Sequence, residues 1–273
     1  MSPLTPVKYR IVVFGKPEST EPVRDFLAKT LQIHPLDAQR LTAHMPGILP
    51  GLFDAMTSKK ILDRFFELQL PAEARSADSF PDLSRPRSVQ DLTLTPGGVN
   101  FRDNVRKQTL HFLPWNKIGL IAAGRISMPD TVIEYDPSGI TRNVVYGVRR
   151  MLGGGSLNRK ERTVRSPGFP KGEAILWRKE PHGVFRLSED KLRYDILGEH
   201  RAENAADNFP RLIKWLATAA DAAFLTDSTK ALIGQSDNEP EIYTDEESLI
   251  ESATMQLLRS WYRADREKSG ETG

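Results

Sequence analysis

No cysteine occurs among the 273 residues, which excludes disulfide staples, thiol nucleophiles and Cys-ligated zinc or iron–sulfur centres, and fits a reducing compartment. An excess of one charge is also missing. The 38 basic side chains face 36 acidic ones, for a formal net charge of +2, so no whole-molecule field draws the chain to nucleic acid or a membrane and any patch must be local. The opening MSPLTPVKYR has no apolar signal core and no run is long enough to span a bilayer. The expected compartment is therefore the cytoplasm, with no transmembrane segment. His34, His44, His111, His182 and His200 are scattered without metal-ligand spacing, and Ser166 lies in RSPGF rather than in a Gly-x-Ser-x-Gly elbow. These gaps leave no catalytic residue, metal ligand or cofactor to nominate, and the expectation is a non-enzymatic protein. What is present, 39% hydrophobic and 27% charged residues, is ordinary for one large or two small globular domains.

The first quarter of the chain is strongly patterned. YRIVVFG, ended by Gly15 and Pro17, reads as a buried strand. Thr20 can cap a following helix with Val23, Phe26, Leu27 and Leu31 on one face, and Pro35 suits the first turn of a second helix that stops before Pro46. In PGILPG the prolines allow only a turn or a short edge strand carrying Ile48 and Leu49. A third helix starts near Thr57 or Ser58 with Ile61, Leu62, Phe65, Phe66 and Leu68 on its face, and AEARS supplies a last strand. The order is strand, helix, helix, strand, helix, strand.

In YRIVVFG, VRDFLAKTLQI, DAQRL, MPGILP and KKILDRFFELQLPAEA, taken in series, residues 8–78 resemble the C-terminal domain of ribosomal protein L7/L12 and its structural relative, the ClpS adaptor. The resemblance implies a small α+β module of a kind both families use to bind other proteins. The specific roles do not carry over. Gly15-Lys16-Pro17 stands where the adaptor family has an Asn-Asp pair for a client's amino terminus, and EPVRDFLAKTL offers only Arg24 and Lys29 where the stalk family has a lysine-rich surface. His44, in AHMPG, reads as a helix-end histidine.

A Ser-, Pro- and Asp-rich stretch follows, and the organisation expected is an α+β domain over 7–78, a linker over 79–90, a mainly antiparallel β domain over 91–234, and an acidic spacer, helix and polar tail over 235–273. DLTLTPGGVNFRD is a hairpin around Pro96-Gly97-Gly98, and QTLHFLPWNKIGLIAAGRI, TVIEYD, NVVYGV, EAILWRKE, GVFRLS and KLRYDIL read as further strands of a half-buried sheet. A helix capped by Asp207 or Asn208 carries Phe209, Leu212, Ile213, Leu216 and Ala220. GVNFRD, LPWNKIGLIAAG and NFPRLIKWLATAADAAFL resemble the bacterial PH-like fold, which implies a small barrel or sandwich closed by a helix. A final helix over about 245–263, with Leu249, Ile250, Leu257, Leu258 and Trp261, is expected to pack on its own chain.

The one chemically suggestive stretch is RRMLGGGSLNRKERTVR, residues 149–165. Its glycines do not keep the strand-loop-helix frame that cradles phosphate, so a hairpin loop is the favoured reading. Arg149, Arg150, Arg159, Lys160, Arg162 and Arg165 form the candidate binding loop, with a phosphorylated ligand or RNA as its alternative use. Without stacking aromatics the case for nucleic acid is poor. The leading expectation is an adaptor or scaffold whose partner is another protein. A hydrolase is the third reading, and it requires carboxylates from distant segments to converge in a deep pocket.

Overall fold

A computed structural model of the chain describes residues 7–102, 110–127, 129–135, 161–167 and 169–270. The fold is α+β, built of mostly antiparallel ladders and closed by a C-terminal helix, as expected.

The N-terminal unit follows the expected element order. β1 (Tyr9–Val13) leads to α1 (Thr20–Leu31), α2 (Pro35–Ala43), β2 (Gly47–Ile48), α3 (Ala55–Glu67) and β3 (Ala72–Ser76). The sheet runs β2-β1-β3, both pairs antiparallel. Ile11 and Val13 of β1 join Val23, Leu27, Ala38, Ile61 and Phe65 of the three helices in one core. Three local readings need correction. Ser19, not Thr20, stands at the N-cap of α1, and no side chain caps that helix. α3 begins at Ala55 because the Asp54 carboxylate accepts from Thr57 N at 2.7 Å. Phe66 does not share the buried face: it is 85% exposed while its neighbour Phe65 is fully buried.

Residues 79–90 carry buried Leu83 and β4 (Arg87–Val89) into the second unit. There β5 (Asp91–Thr95), β6 (Gly98–Arg102) and β7 (Leu110–Pro114) form a meander, with Pro96 and Gly97 between the first two. The main sheet is ordered β13-β8-β11-β12-β4, where β8 spans Ile118–Ile126, β11 Lys171–Arg178, β12 Gly183–Ser188 and β13 Phe224–Leu225. β14 (Ile242–Tyr243) also pairs with β8. β9 (Pro129–Tyr135) and β10 (Glu161–Pro167) pair with each other just beyond β8 and β11. The helices are α4 (Ala205–Ala219), α5 (Asp227–Leu232) and α6 (Glu246–Ser269).

The sheet is not half-buried. β8 and β11 are covered on both faces, because two layers compete for them. On the inner face Ile121, Ala123, Ala174, Leu176, Phe185 and Leu187 pack with Val99, Phe101 and Leu113 of the meander and Phe209, Leu212, Ile213 and Leu216 of α4. On the outer face Leu120, Ala122, Ile175, Trp177 and Val184 pack with Leu249, Ala253 and Leu257 of α6. Gly172 permits the approach of α4, since a Cβ there would lie 2.4 Å from Phe209 Cδ1. The start of α4 is set by Asn204, whose side chain accepts from Asp207 N, rather than by Asp207 or Asn208.

KLRYDIL is not a strand. Leu192 and Tyr194 do turn inward, but Lys191 N and Leu192 N bond back to Ser188 O in a turn, Arg193 N bonds Gln90 O at 3.2 Å, and a 3₁₀ turn follows over Asp195–His200. Alternating burial came from one extended chain lying on the core, without a ladder. NVVYGV lies outside the described residues.

The free edge of β8 is closed from Leu120 to Ile126. β13 pairs parallel with Leu120 and Ile121, and β14 with Arg125 and Ile126. Between them the buried Thr229 hydroxyl of α5 accepts from Ala123 N at 2.7 Å and donates to Ile121 O at 3.1 Å, so a side chain replaces a missing strand residue. Thr229→Val keeps the shape and orphans that N–H. The expected cost is about 1–3 kcal/mol, read as a lower urea midpoint, whereas Thr218→Val on exposed α4 surface should leave the midpoint in place. An unchanged midpoint for Thr229→Val would show that the hydroxyl does not close the edge.

Candidate functional site

The helical side of the N-terminal unit carries an open groove of about 490 Å³ between the end of α1 and the turn that leads into α3. Each wall has a local cause. α1 stops because Gln32 takes a left-handed conformation, φ 54°, with its N–H bonded to Ala28 O, and Ile33 N bonds the same carbonyl at 3.2 Å. This turn folds Leu31 and Ile33 back along the helix end. Opposite, Gly51 sits at φ 104°, where a side chain is strained. Phe53 then returns to β1 through paired bonds with Tyr9, N to O at 2.8 and 2.9 Å. The Asp54 cap holds the start of α3, and the Thr57 backbone N–H held by that cap keeps the Asp54 carboxyl below the usual carboxylate range.

The lining is Thr30, Leu31, Gln32, Ile33, Pro50, Gly51, Phe53 and Thr57: apolar walls, a few neutral hydrogen-bonding groups and no charge. Leu52 and Met56, which adjoin lining residues in the chain, are 52% and 82% exposed. Such a surface suits an apolar anchor side chain whose flanking backbone needs polar partners at the rim.

The opposite face of the same sheet is occupied. Val12, which alternates with Ile11 and Val13, is fully buried. Around it Arg75 donates to Asp265 at 2.8 Å and lies over the Trp261 ring at 5.2 Å, Phe14 stacks on Tyr262 at 4.5 Å, and Arg259 donates to Phe14 O. Trp261 also meets Trp177 of β11 at 6.1 Å, so α6 contacts both units. Glu73 is salt-bridged to Arg75 at 2.9 Å, yet Glu73 Oε2 and Arg75 Nε are buried without hydrogen-bond partners. Burial raises the Glu73 carboxyl, partly offset by Arg75.

A second buried polar cluster joins β11, β12 and α6. Arg186 makes two 2.9 Å bonds to Glu173, Ser188 donates to the same carboxylate, and Arg186 also pairs with Glu246 at the start of α6. Its groups satisfy one another, which marks a structural clamp rather than an open site. The Tyr243 hydroxyl, near Ser252, is pushed up to about 12 by burial.

Of the sequence candidates, Arg149, Arg150, Arg159 and Lys160 lie outside the described residues. Arg162 and Arg165 are on β10, opposite Glu134 and Thr131 of β9. His44 Nδ1 lies 2.7 Å from Arg40 O within its own helix end. His182 accepts from Trp177 Nε1 at 3.2 Å and contacts Asp82 O at 2.8 Å, pinning residues 79–90 to β11. Among the described residues no group of His, Asp and Glu has metal-binding geometry, and no helix is long and apolar enough to cross a membrane. The groove had no sequence signature beyond Pro50-Gly51. No family model, characterised protein or solved structure matches the chain.

Glu73 yields a pH prediction. A carboxyl raised in the folded state costs nothing below its unfolded pKa and destabilises progressively as pH rises through the raised value. Asp54 and Asp245, lowered by their capping bonds, contribute in the opposite sense, so the comparison must be differential. The stability of Glu73→Gln minus wild type should rise as pH climbs above the ordinary glutamate range and level off once pH has passed the raised value, measured by urea unfolding at several pH values. A flat or falling difference would contradict a Glu73 carboxyl raised by partial burial.

Proposed function

We propose that this chain is a non-enzymatic protein-interaction module of adaptor or scaffold type, acting in the cytoplasm, whose N-terminal groove receives an apolar segment of a partner protein. The observation that carries this reading is the groove itself, uncharged and open on the helical side of the N-terminal unit, while α6 packs on the sheet side. The distribution of exposed apolar side chains supports it. Of the ten large hydrophobics exposed among the described residues, Val7, Leu36, Leu52, Met56 and Phe66 belong to residues 7–78. Half of the set thus falls on about a third of the residues whose exposure is described, a bias expected of a recognition surface. The resemblance of residues 8–78 to the L7/L12 and ClpS modules agrees with it, since both bind proteins. The second unit serves in this reading as the frame that holds the sheet side of the first.

The test is a random-peptide display against the intact chain, followed by affinity measurement on the selected peptides. Selected sequences should share one large apolar anchor. Leu52→Asp and Met56→Asp, at exposed positions, should each weaken binding by roughly tenfold or more with unchanged circular dichroism and thermal midpoint. Peptides that bind both variants as well as wild type would remove the groove from the mechanism, and turnover of a defined substrate by the purified chain would remove the non-enzymatic reading.

A further inference from the structure

On the other unit, a cleft of about 300 Å³ is lined by Gln90, Asp91, Arg102, Lys191 and Arg193. We propose that this cleft is a binding site for a phosphate monoester. Three cations line it against one carboxylate, in a chain whose charges otherwise almost cancel. Arg75, Arg186, Arg201 and Lys171 all have carboxylate partners. Lys191 and Arg193 make no ion pair among the described residues, and Arg102 reaches Asp91 only at 3.9 Å.

The frame under these side chains is fixed. Gln90 N donates to Arg102 O at 3.1 Å and Arg193 N donates to Gln90 O at 3.2 Å, which ties the end of β6, the start of β5 and the turn after β12 together. Leu192 and Tyr194 are buried on either side of Arg193, and the Tyr194 hydroxyl donates to Glu189 O at 2.8 Å. Alternation along this anchored chain turns Lys191 and Arg193 outward to the cleft. The cations are therefore held near one another by backbone and core, with Asp91 as their one carboxylate counterpart among the described residues.

The chemistry selects the ligand. Two guanidinium forks and an ammonium suit a multi-oxygen anion, and their excess over Asp91 matches a doubly charged phosphate monoester better than a single carboxylate. A polynucleotide would require a charged track and stacking rings, which this lining lacks. The cleft is at the small end of ligand pockets, which run from about 300 to 1,000 Å³, so it accommodates the phosphate and little of what bears it. This inference is independent of the groove, and neither depends on the other.

The test is calorimetric titration of the intact chain at neutral pH and low salt with inorganic phosphate, O-phosphoserine and glycerol 3-phosphate. Saturable one-to-one binding is expected, weakened by about tenfold in Lys191→Ala/Arg193→Ala and tightened by about threefold in Asp91→Asn, since one removes attraction and the other repulsion. The ranking of probes identifies the source: phosphoserine tightest indicates a phosphorylated protein, glycerol phosphate tightest a headgroup or small ester, and equal affinities the free ion. All of the altered groups are at least partly exposed, so the variants should retain the wild-type circular dichroism spectrum. Absence of saturable binding at millimolar phosphate, or affinity unchanged in both variants, overturns the proposal.

Discussion

The pairing of β8 with β11 is the constraint on which the rest of the molecule depends. Because both strands are buried on both faces, their backbone groups have no water to fall back on, and every edge must be closed by protein. β12 and then β4 extend the sheet beyond β11. On the far side of β8, two parallel two-residue strands and the Thr229 hydroxyl share the task. The sequence of β8 suits this crowding: Gly124 lies where a Cβ would come within 2.5 Å of the Tyr243 ring, and alanines occupy the two positions before it. A larger residue at Gly124 would push β14, and with it the approach to α6, away from the sheet.

That coupling explains the C-terminal helix. An α-helix of 24 residues is about 36 Å long, more than the outer face of one small sheet needs. Its first half supplies Leu249, Ala253 and Leu257 to the outer core, and its last turns meet Phe14, Glu73's partner Arg75, and the buried Val12 face. The final helix of the chain thus completes the burial of its first strand. Glu73 and Arg75 are left imperfectly satisfied at that junction, consistent with a contact held in place by apolar and aromatic packing around it rather than by the ion pair.

How much of this could be read from sequence follows from the range of each interaction. The N-terminal order was legible because α1, α2 and α3 each carry a local apolar periodicity and the prolines punctuate them. The start of α3 was misread by a few residues because its first residues are exposed and add nothing to the apolar face, and Asp54 rather than Thr57 or Ser58 sets the boundary. Phe66 was misread because hydrophobicity does not say which side of a helix faces the core when Phe65 is its neighbour. The two-sided burial of β8 and β11 was obscured by Glu173 and Arg186, which look solvent-facing in sequence and are instead neutralised against each other under α6. β13 and β14 are too short to register at all. The groove and the basic cleft were illegible for the same reason: each is assembled from segments that are polar or irregular by themselves and acquire meaning only where the fold brings them together.

The two proposed sites also occupy places that the architecture leaves available. In the N-terminal unit one face of the sheet is taken by the helices and the other by α6, so the outer helix surfaces, the helix ends and the turns are what remain for recognition. Rigid elements fix those turns from behind, through the Tyr9–Phe53 bridge on one wall and the Gln32 turn on the other, and a preorganised turn loses less conformational entropy when a partner binds. In the second unit the inner core pulls Leu192 and Tyr194 in and thereby sets the intervening arginine outward. In both places the same principle operates: burial of alternate residues positions the exposed ones, and a surface with definite geometry is a consequence of the core beneath it.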